Sequence, residues 1–215
     1  MEKFQFFIYQ CLNPDCSFRF PITVDVGKKT SVQACPRCHG QIKVSLHREL
    51  QHESQLFTEV HAFPNRQVLL DNLRSAWNVG SIVRTADGLG FAKIHICGIT
   101  PPLTHPNVGK TALGAQEKMA WEYHPNAIIA ADRLLTEGWR LWALEETPQA
   151  RVLGRMEKLP ADERIVLVAG NEQSGVDPAL LKRSERIYQI PMQGLKRSIN
   201  VAVAFGMAAY LLCAQ

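Results

Sequence analysis

Four cysteines open the chain in two close pairs, Cys11-x4-Cys16 and Cys35-x2-Cys38, with 18 residues between the pairs. Zn2+ favours four tetrahedral thiolates, and two such turns at the ends of a β-hairpin can supply them. Asn13 and Pro14 in the first turn and Pro36 in the second help to bend the backbone so that the sulfurs face one point. His39, directly after Cys38, is a ligand type that could substitute, but the four cysteines already fill the shell. Four ordinary reduced cysteines are the competing reading, which the pairing speaks against. Thiol–disulfide chemistry at Cys35 and Cys38 is weaker still, because no helix-opening pattern follows the pair. A structural ion also answers a physical need, because about 45 residues rarely build a self-sufficient core. Cys11, Cys16, Cys35 and Cys38 are therefore expected to hold Zn2+.

Three later segments place polar residues where apolar runs end. In the first, a polar turn leads through Asn78 into a helical pattern with Arg84 six residues on, among Ile82 and Val83. A helix start offers N–H groups to an anion, and an arginine beside it can fork two donors onto a phosphate. A structural arginine tying the helix to its domain is the alternative. In the second, Gly170-x-Glu172-x-x-Gly175 follows the apolar run 165–169. Glycine at the carboxyl end of a parallel strand lets a ligand approach the backbone. In the third, Ile190 ends a strand at Pro191, a loop carries Leu195, and Ser198, Ile199 and Asn200 open a long apolar helix. Ser198 suits a helix cap. A buried amide at Asn200 would need partners.

The elements that must position these residues fall into two units. Residues 1–46 hold the cysteines among short β-like runs, and 47–65 read as a polar, His-rich linker. Residues 66–215 alternate apolar runs with helical patterns, the mark of an α/β domain with a mostly parallel sheet. Strands are expected at 67–70, 92–97, 140–144, 165–169 and 187–190. Helices are expected at 80–89 after an Asn78 cap, at 126–137, at 178–184, and at 198–213, the last apolar on nearly every side and so deeply packed. The stretch 101–120 reads as a long functional loop.

Composition narrows the class. Of 215 residues 46% are hydrophobic and 20% charged, which suits a cored globular protein. No run approaches the roughly 20 apolar residues of a membrane span. The start has no charged-then-apolar secretory layout, so the expected compartment is the cytosol and disulfides are not expected there. The net charge of +4 is compatible with a polyanionic partner, and residues 1–50 hold seven Lys/Arg against four Asp/Glu.

Taken in order, the three segments resemble the three motifs of the SpoU family of RNA ribose 2′-O-methyltransferases, in the trefoil-knotted SPOUT superfamily. The likeness covers residues 66–215 and includes a segment at 110–115 like one that members carry between the first two motifs. It departs at Ala76 and Trp77, where Pro and a small or polar residue are frequent, at Ile199 for Leu and at Ala202 for Ser. The resemblance implies a C-terminal deep knot that is the S-adenosylmethionine pocket, with the cofactor held around Gly170, Ile190, Leu195 and Ile199. It implies Arg84 as the principal catalytic residue, with Asn78, Glu172, Ser198 and Asn200 positioning it, the ribose or the cofactor. It implies tRNA or rRNA as substrate and a homodimer. A catalytically silent RNA-binding homologue, a base-methylating relative, and a zinc-ribbon adaptor joined to another nucleotide-binding domain stay open.

Overall fold

The structure, a computed structural model, describes residues 3–51, 63–155 and 162–213. The chain divides into two compact units, Met1–Glu59 and Val60–Gln215.

The first unit is an antiparallel sheet of β1 (Lys3–Cys11), β2 (Arg19–Asp25) and β3 (Ile42–Gln51), with β1 in the centre. β1 alternates Phe4, Phe6 and Ile8 with Phe7 and Tyr9, and Tyr9 stacks on Phe20 with ring centroids 5.7 Å apart. Two tight turns close the end that carries the cysteines. Each has a non-glycine residue at positive φ directly after its second cysteine: Ser17 at 47° after Cys16 and His39 at 58° after Cys38. β3 runs on through His47 to Gln51 and the next strand begins at Phe63, so both ends of the expected 47–65 linker are strand. Residues 52–62 between them lie outside the described residues.

The second unit is built on seven parallel strands. They are β4 (Phe63–Asp71), β5 (Phe91–Cys97), β6 (Trp121–His124), β7 (Arg140–Leu144), β8 (Arg151–Val152), β9 (Ile165–Ala169) and β10 (Arg186–Gln189), in the order β6-β5-β4-β9-β7-β10-β8. β9 is buried at all five positions and alternates between two cores. Ile165, Leu167 and Ala169 pack with α1 (Ala76–Gly88) and α6 (Val201–Cys213) on one face. Val166 and Val168 pack with α4 (Ala127–Thr136) and α5 (Pro178–Leu181) on the other. A strand apolar on both sides has no solvent face to offer, which is why it lies central and parallel.

β10 lies between β7 and β8. The link 145–150 therefore crosses the carboxyl end of β10, and the chain leaving β10 has to pass that link to reach α6, which lies back against α1. This interleaving is the threaded, trefoil-knotted topology, a rare exception to the rules of chain connection.

Several helix boundaries differ from expectation. α1 is capped by Ser75, whose hydroxyl accepts from Asn78 N–H at 3.3 Å, so Asn78 sits inside the first turn and keeps its side chain free for the site. α6 begins at Val201 with Asn200 Oδ1 accepting from Ala202 N–H at 2.8 Å; Asn200, not Ser198, is the cap. α6 is not buried all round, since Val203, Met207 and Tyr210 are exposed along one face. The expected loop at 101–120 contains α2 (Pro106–Ala112) and α3 (Ala115–Lys118), short pieces whose periodicity is too brief to read. α5 stops at Leu181. Among the described residues no helix is long and apolar enough to cross a membrane.

Candidate active site and candidate metal centre

At the carboxyl ends of β7, β9 and β10 lies a cavity of about 500 Å³. Its wall is made by the turn after β9, the end of β10 and the loop leading into α6. The carboxyl edge of a parallel sheet is where α/β folds bind ligands, because strand-end backbone groups and loops converge there.

The turn after β9 is held tightly. Asn171 and Gly175 exchange backbone hydrogen bonds at 3.0 and 2.9 Å. A Cβ on Gly170 would lie 2.3 Å from Val176 N, and the contact is with backbone that has no room to yield. Gly175 is at φ 74°, and a Cβ there would meet the Glu145 carboxylate at 2.2 Å. That carboxylate accepts from Val176 N–H at 2.8 Å and from Glu146 N–H at 2.9 Å.

One chain of hydrogen bonds joins all three polar segments. Glu172 accepts from Arg74 N–H at 2.9 Å, Ser75 N–H at 3.1 Å and the Asn78 amide at 2.9 Å. Asn78 Oδ1 accepts in turn from the Asn200 amide at 2.9 Å. Burial pushes the Glu172 carboxyl up, but the N–H groups of Arg74 and Ser75 and the Asn78 amide outweigh it and hold it below the usual carboxylate range. Glu172 thus stays ionised at neutral pH and fixes the start of α1 against the turn after β9.

Gly170, Glu172, Ile190, Ser198, Ile199 and Asn200 line the cavity. Asn78 joins them through Glu172 and Asn200. Leu195 does not: it is fully exposed and off the lining, because the loop before α6 turns it to solvent. Arg84 is also exposed and outside the lining, and makes no hydrogen bond or ion pair among the described residues. It shares the outward strip of α1 with Trp77 and Ser81. Glu145, Tyr188, Met192 and Arg197 line the cavity without having been singled out. Glu145 directly follows a strand, a position the strand-end rule marks; for Tyr188, inside β10, no comparable signal exists.

Residues 65–210 match the family described as SpoU rRNA Methylase. The chain belongs to that family. A Bacillus subtilis member named 23S rRNA (guanosine(2553)-2′-O)-methyltransferase RlmP is 29% identical over 156 residues, 70% of this chain and 59% of that protein. A Borreliella burgdorferi member named tRNA (guanosine(18)-2′-O)-methyltransferase is 25% identical over 144 residues, 67% of this chain and 64% of that protein. The chain thus spans less than two thirds of the length of these relatives. The fold is shared with the SpoU methyltransferase AviRb of Streptomyces viridochromogenes in complex with AdoMet, at TM-score 0.63 and 20% identity, covering 81% of this chain and 68% of that one.

In the first unit the four thiols converge. Cys11 and Cys38 sulfurs are 3.5 Å apart, Cys16 and Cys35 sulfurs 3.8 Å, and all four lie within 4.8 Å of one another. Zn–S bonds of about 2.3 Å in a tetrahedron set sulfurs about 3.8 Å apart, so the spacing fits Zn2+. Burial raises the Cys35 thiol, but the N–H groups of Cys38 and Arg37, with the neighbouring thiols, outweigh it and bring it down to about 7. Burial pushes the Cys11 thiol up to about 12. N–H groups aimed at sulfur are the partners a bound thiolate needs.

His95, Glu122 and His124 form a second cluster of ligand-type residues. Its polar groups are already paired. His95 bonds Gln67 Oε1 at 2.8 Å and His124 Nε2 at 3.0 Å, while Glu122 takes Lys93 at 2.6 Å and both Arg133 Nη atoms at 2.9 Å. Two cations on the one carboxylate disfavour a dication, and the cluster is a structural tie between β4, β5 and β6.

Proposed function

We propose that this chain is an S-adenosylmethionine-dependent RNA methyltransferase that modifies a ribose 2′-hydroxyl of tRNA or rRNA. The observation that carries it is the Glu172–Asn78–Asn200 chain, which unites three separate segments at the mouth of one cavity. The volume lies within the range of cofactor sites, and Ile190, Ile199 and Val201 supply the apolar wall that an adenosyl group needs. The names of the relatives and the AdoMet complex of AviRb support the same class.

When bound, S-adenosylmethionine supplies an electrophilic methyl group on a sulfonium. Gly170 lets the turn after β9 close tightly against Gly175 and Val176, and Asn78, Glu172, Ser198 and Asn200 fix the cavity mouth. Arg84 is assigned the RNA phosphate and the developing ribose oxyanion. A guanidinium remains protonated in proteins, so it acts as a forked donor and not as the base. Its exposure leaves it open to RNA. The four-cysteine cluster is assigned Zn2+ as a structural ion, and the exposed face of α6 is assigned to a homodimer.

The test is methyl transfer from labelled S-adenosylmethionine to RNA, followed by alkaline hydrolysis. Alkali cleaves RNA through the free 2′-hydroxyl, so label in an alkali-resistant dinucleotide is expected. Label in mononucleotides would make the enzyme a base methyltransferase, and cofactor binding without transfer a silent homologue. Arg84→Lys keeps the charge and loses the fork; turnover should fall at least about tenfold while cofactor affinity changes less than about twofold.

A further inference from the structure

Of the four tryptophans, Trp139 and Trp142 are buried and Trp121 is partly so, whereas Trp77 exposes 51% of its surface. It precedes Asn78, whose amide is bonded to Glu172 at the cavity mouth. Its backbone is pinned: the Trp77 carbonyl accepts from the Ser81 hydroxyl at 2.9 Å and the Thr111 hydroxyl at 3.1 Å. α2 approaches so closely that a Cβ on Gly80 would meet Thr111 Oγ1 at 2.1 Å and the Val108 carbonyl at 2.3 Å. This contact brings Lys110 Nζ to 5.7 Å from the indole centroid, within cation–π reach. Arg84, seven residues along α1, lies within about 20° of the same face and about 10 Å farther along the axis.

An exposed indole on a pinned backbone with a cation over its ring is the pair of features by which proteins hold unpaired nucleotides: a flat surface for the base and positive charge for the phosphate. Arg74 and Arg84 are also exposed nearby along the chain. A second copy set face to face on this patch would bring these cations together, whereas a polyanion neutralises them.

We propose that Trp77 is a stacking platform for an unpaired nucleobase of the RNA substrate, with Lys110 on the adjoining phosphate. This rests on the RNA methyltransferase function proposed above. A base stacked on Trp77 would hold a neighbour of the target nucleotide while Arg84 engages the target itself, which makes Trp77 a specificity residue.

The experiment titrates the full chain with a short single-stranded oligoribonucleotide. It reads tryptophan emission, RNA affinity by anisotropy, cofactor affinity by calorimetry, and mass by sedimentation. Binding should quench the emission of the wild type, and the quenching should vanish in Trp77→Phe. Trp77→Ala should weaken RNA binding about tenfold or more, and Trp77→Phe, which keeps an aromatic face, less than about threefold. Lys110→Ala should weaken binding and flatten its salt dependence by about one counterion. Cofactor affinity and mass should not change. RNA binding without quenching, equal losses in Trp77→Phe and Trp77→Ala, or a dimer that dissociates in Trp77→Ala would each overturn the platform. If the wild type fails to bind cofactor or transfer methyl yet is quenched by RNA, the proposed function fails and the platform stands. If Trp77→Ala binds RNA and transfers methyl normally, the reverse holds.

Discussion

Glu172 and Gly170 carry the most at the scale of single residues. Glu172 accepts three hydrogen bonds from the first motif, and no neutral side chain of its length can do so with two acceptor oxygens. Glu172→Gln should cut turnover at least about tenfold while costing only about 1 kcal/mol of stability, the site being largely exposed to solvent. Denaturant unfolding beside the methyl-transfer assay separates the two. A carboxyl held below its ordinary value contributes fully above that value and fails as pH falls through its folded one, so this tie should persist across neutral pH. Gly170→Ala puts a carbon 2.3 Å from Val176 N; cofactor affinity measured by calorimetry should fall about tenfold or more. His95 gives a different pH response. Burial, then the charges of Lys93 and the His124 side, pull its imidazole from 6.5 down to about 3. The unfolded chain therefore binds a proton that the folded one refuses below pH 6.5. Stability should fall by up to about 1.4 kcal/mol per pH unit between 6.5 and 3 from this group alone. Thermal melts across that range check it, and a flat profile would show that the pair is already protonated in the fold.

The contact of α1 with α2 decides, at the scale of elements, where Trp77 and Lys110 stand. Gly80 makes it possible because any Cβ would strike Thr111 Oγ1 and the Val108 carbonyl. Gly80→Ala should therefore push α2 away, destabilise the domain by about 1–3 kcal/mol and weaken RNA binding more than cofactor binding. Urea unfolding and the two affinities test this. Helical periodicity predicts α4 and the body of α1, though not the start of α1, because each buries one clear face. It misses α2 and α3, which have seven and four residues and owe their form to packing on α1.

At the scale of the whole molecule, two proposals concern what the chain binds besides RNA. One Zn2+ per chain should be found by elemental analysis. Chelator should unfold the Cys11–Cys38 end of the first unit, seen as lost cobalt–thiolate absorption after Co2+ exchange, and Cys16→Ser should abolish it. Val203, Met207 and Tyr210 form an apolar strip on α6 at helical spacing. The wild type is expected to sediment at twice the chain mass of 24.1 kDa, and Met207→Lys with Tyr210→Lys should sediment as the monomer.

The four-cysteine cluster, five of the seven parallel strands and the order of the three motifs were determined by sequence alone, because each rests on local spacing: paired cysteines, five apolar residues in a row, glycine at a strand end. Tertiary structure alone decided that β10 enters between β7 and β8, that Asn200 caps α6 while its amide reaches Asn78, and that Leu195 turns outward. Those outcomes depend on contacts between residues as far apart as Asn78 and Asn200, and no local pattern encodes the direction in which a loop side chain points once distant segments meet.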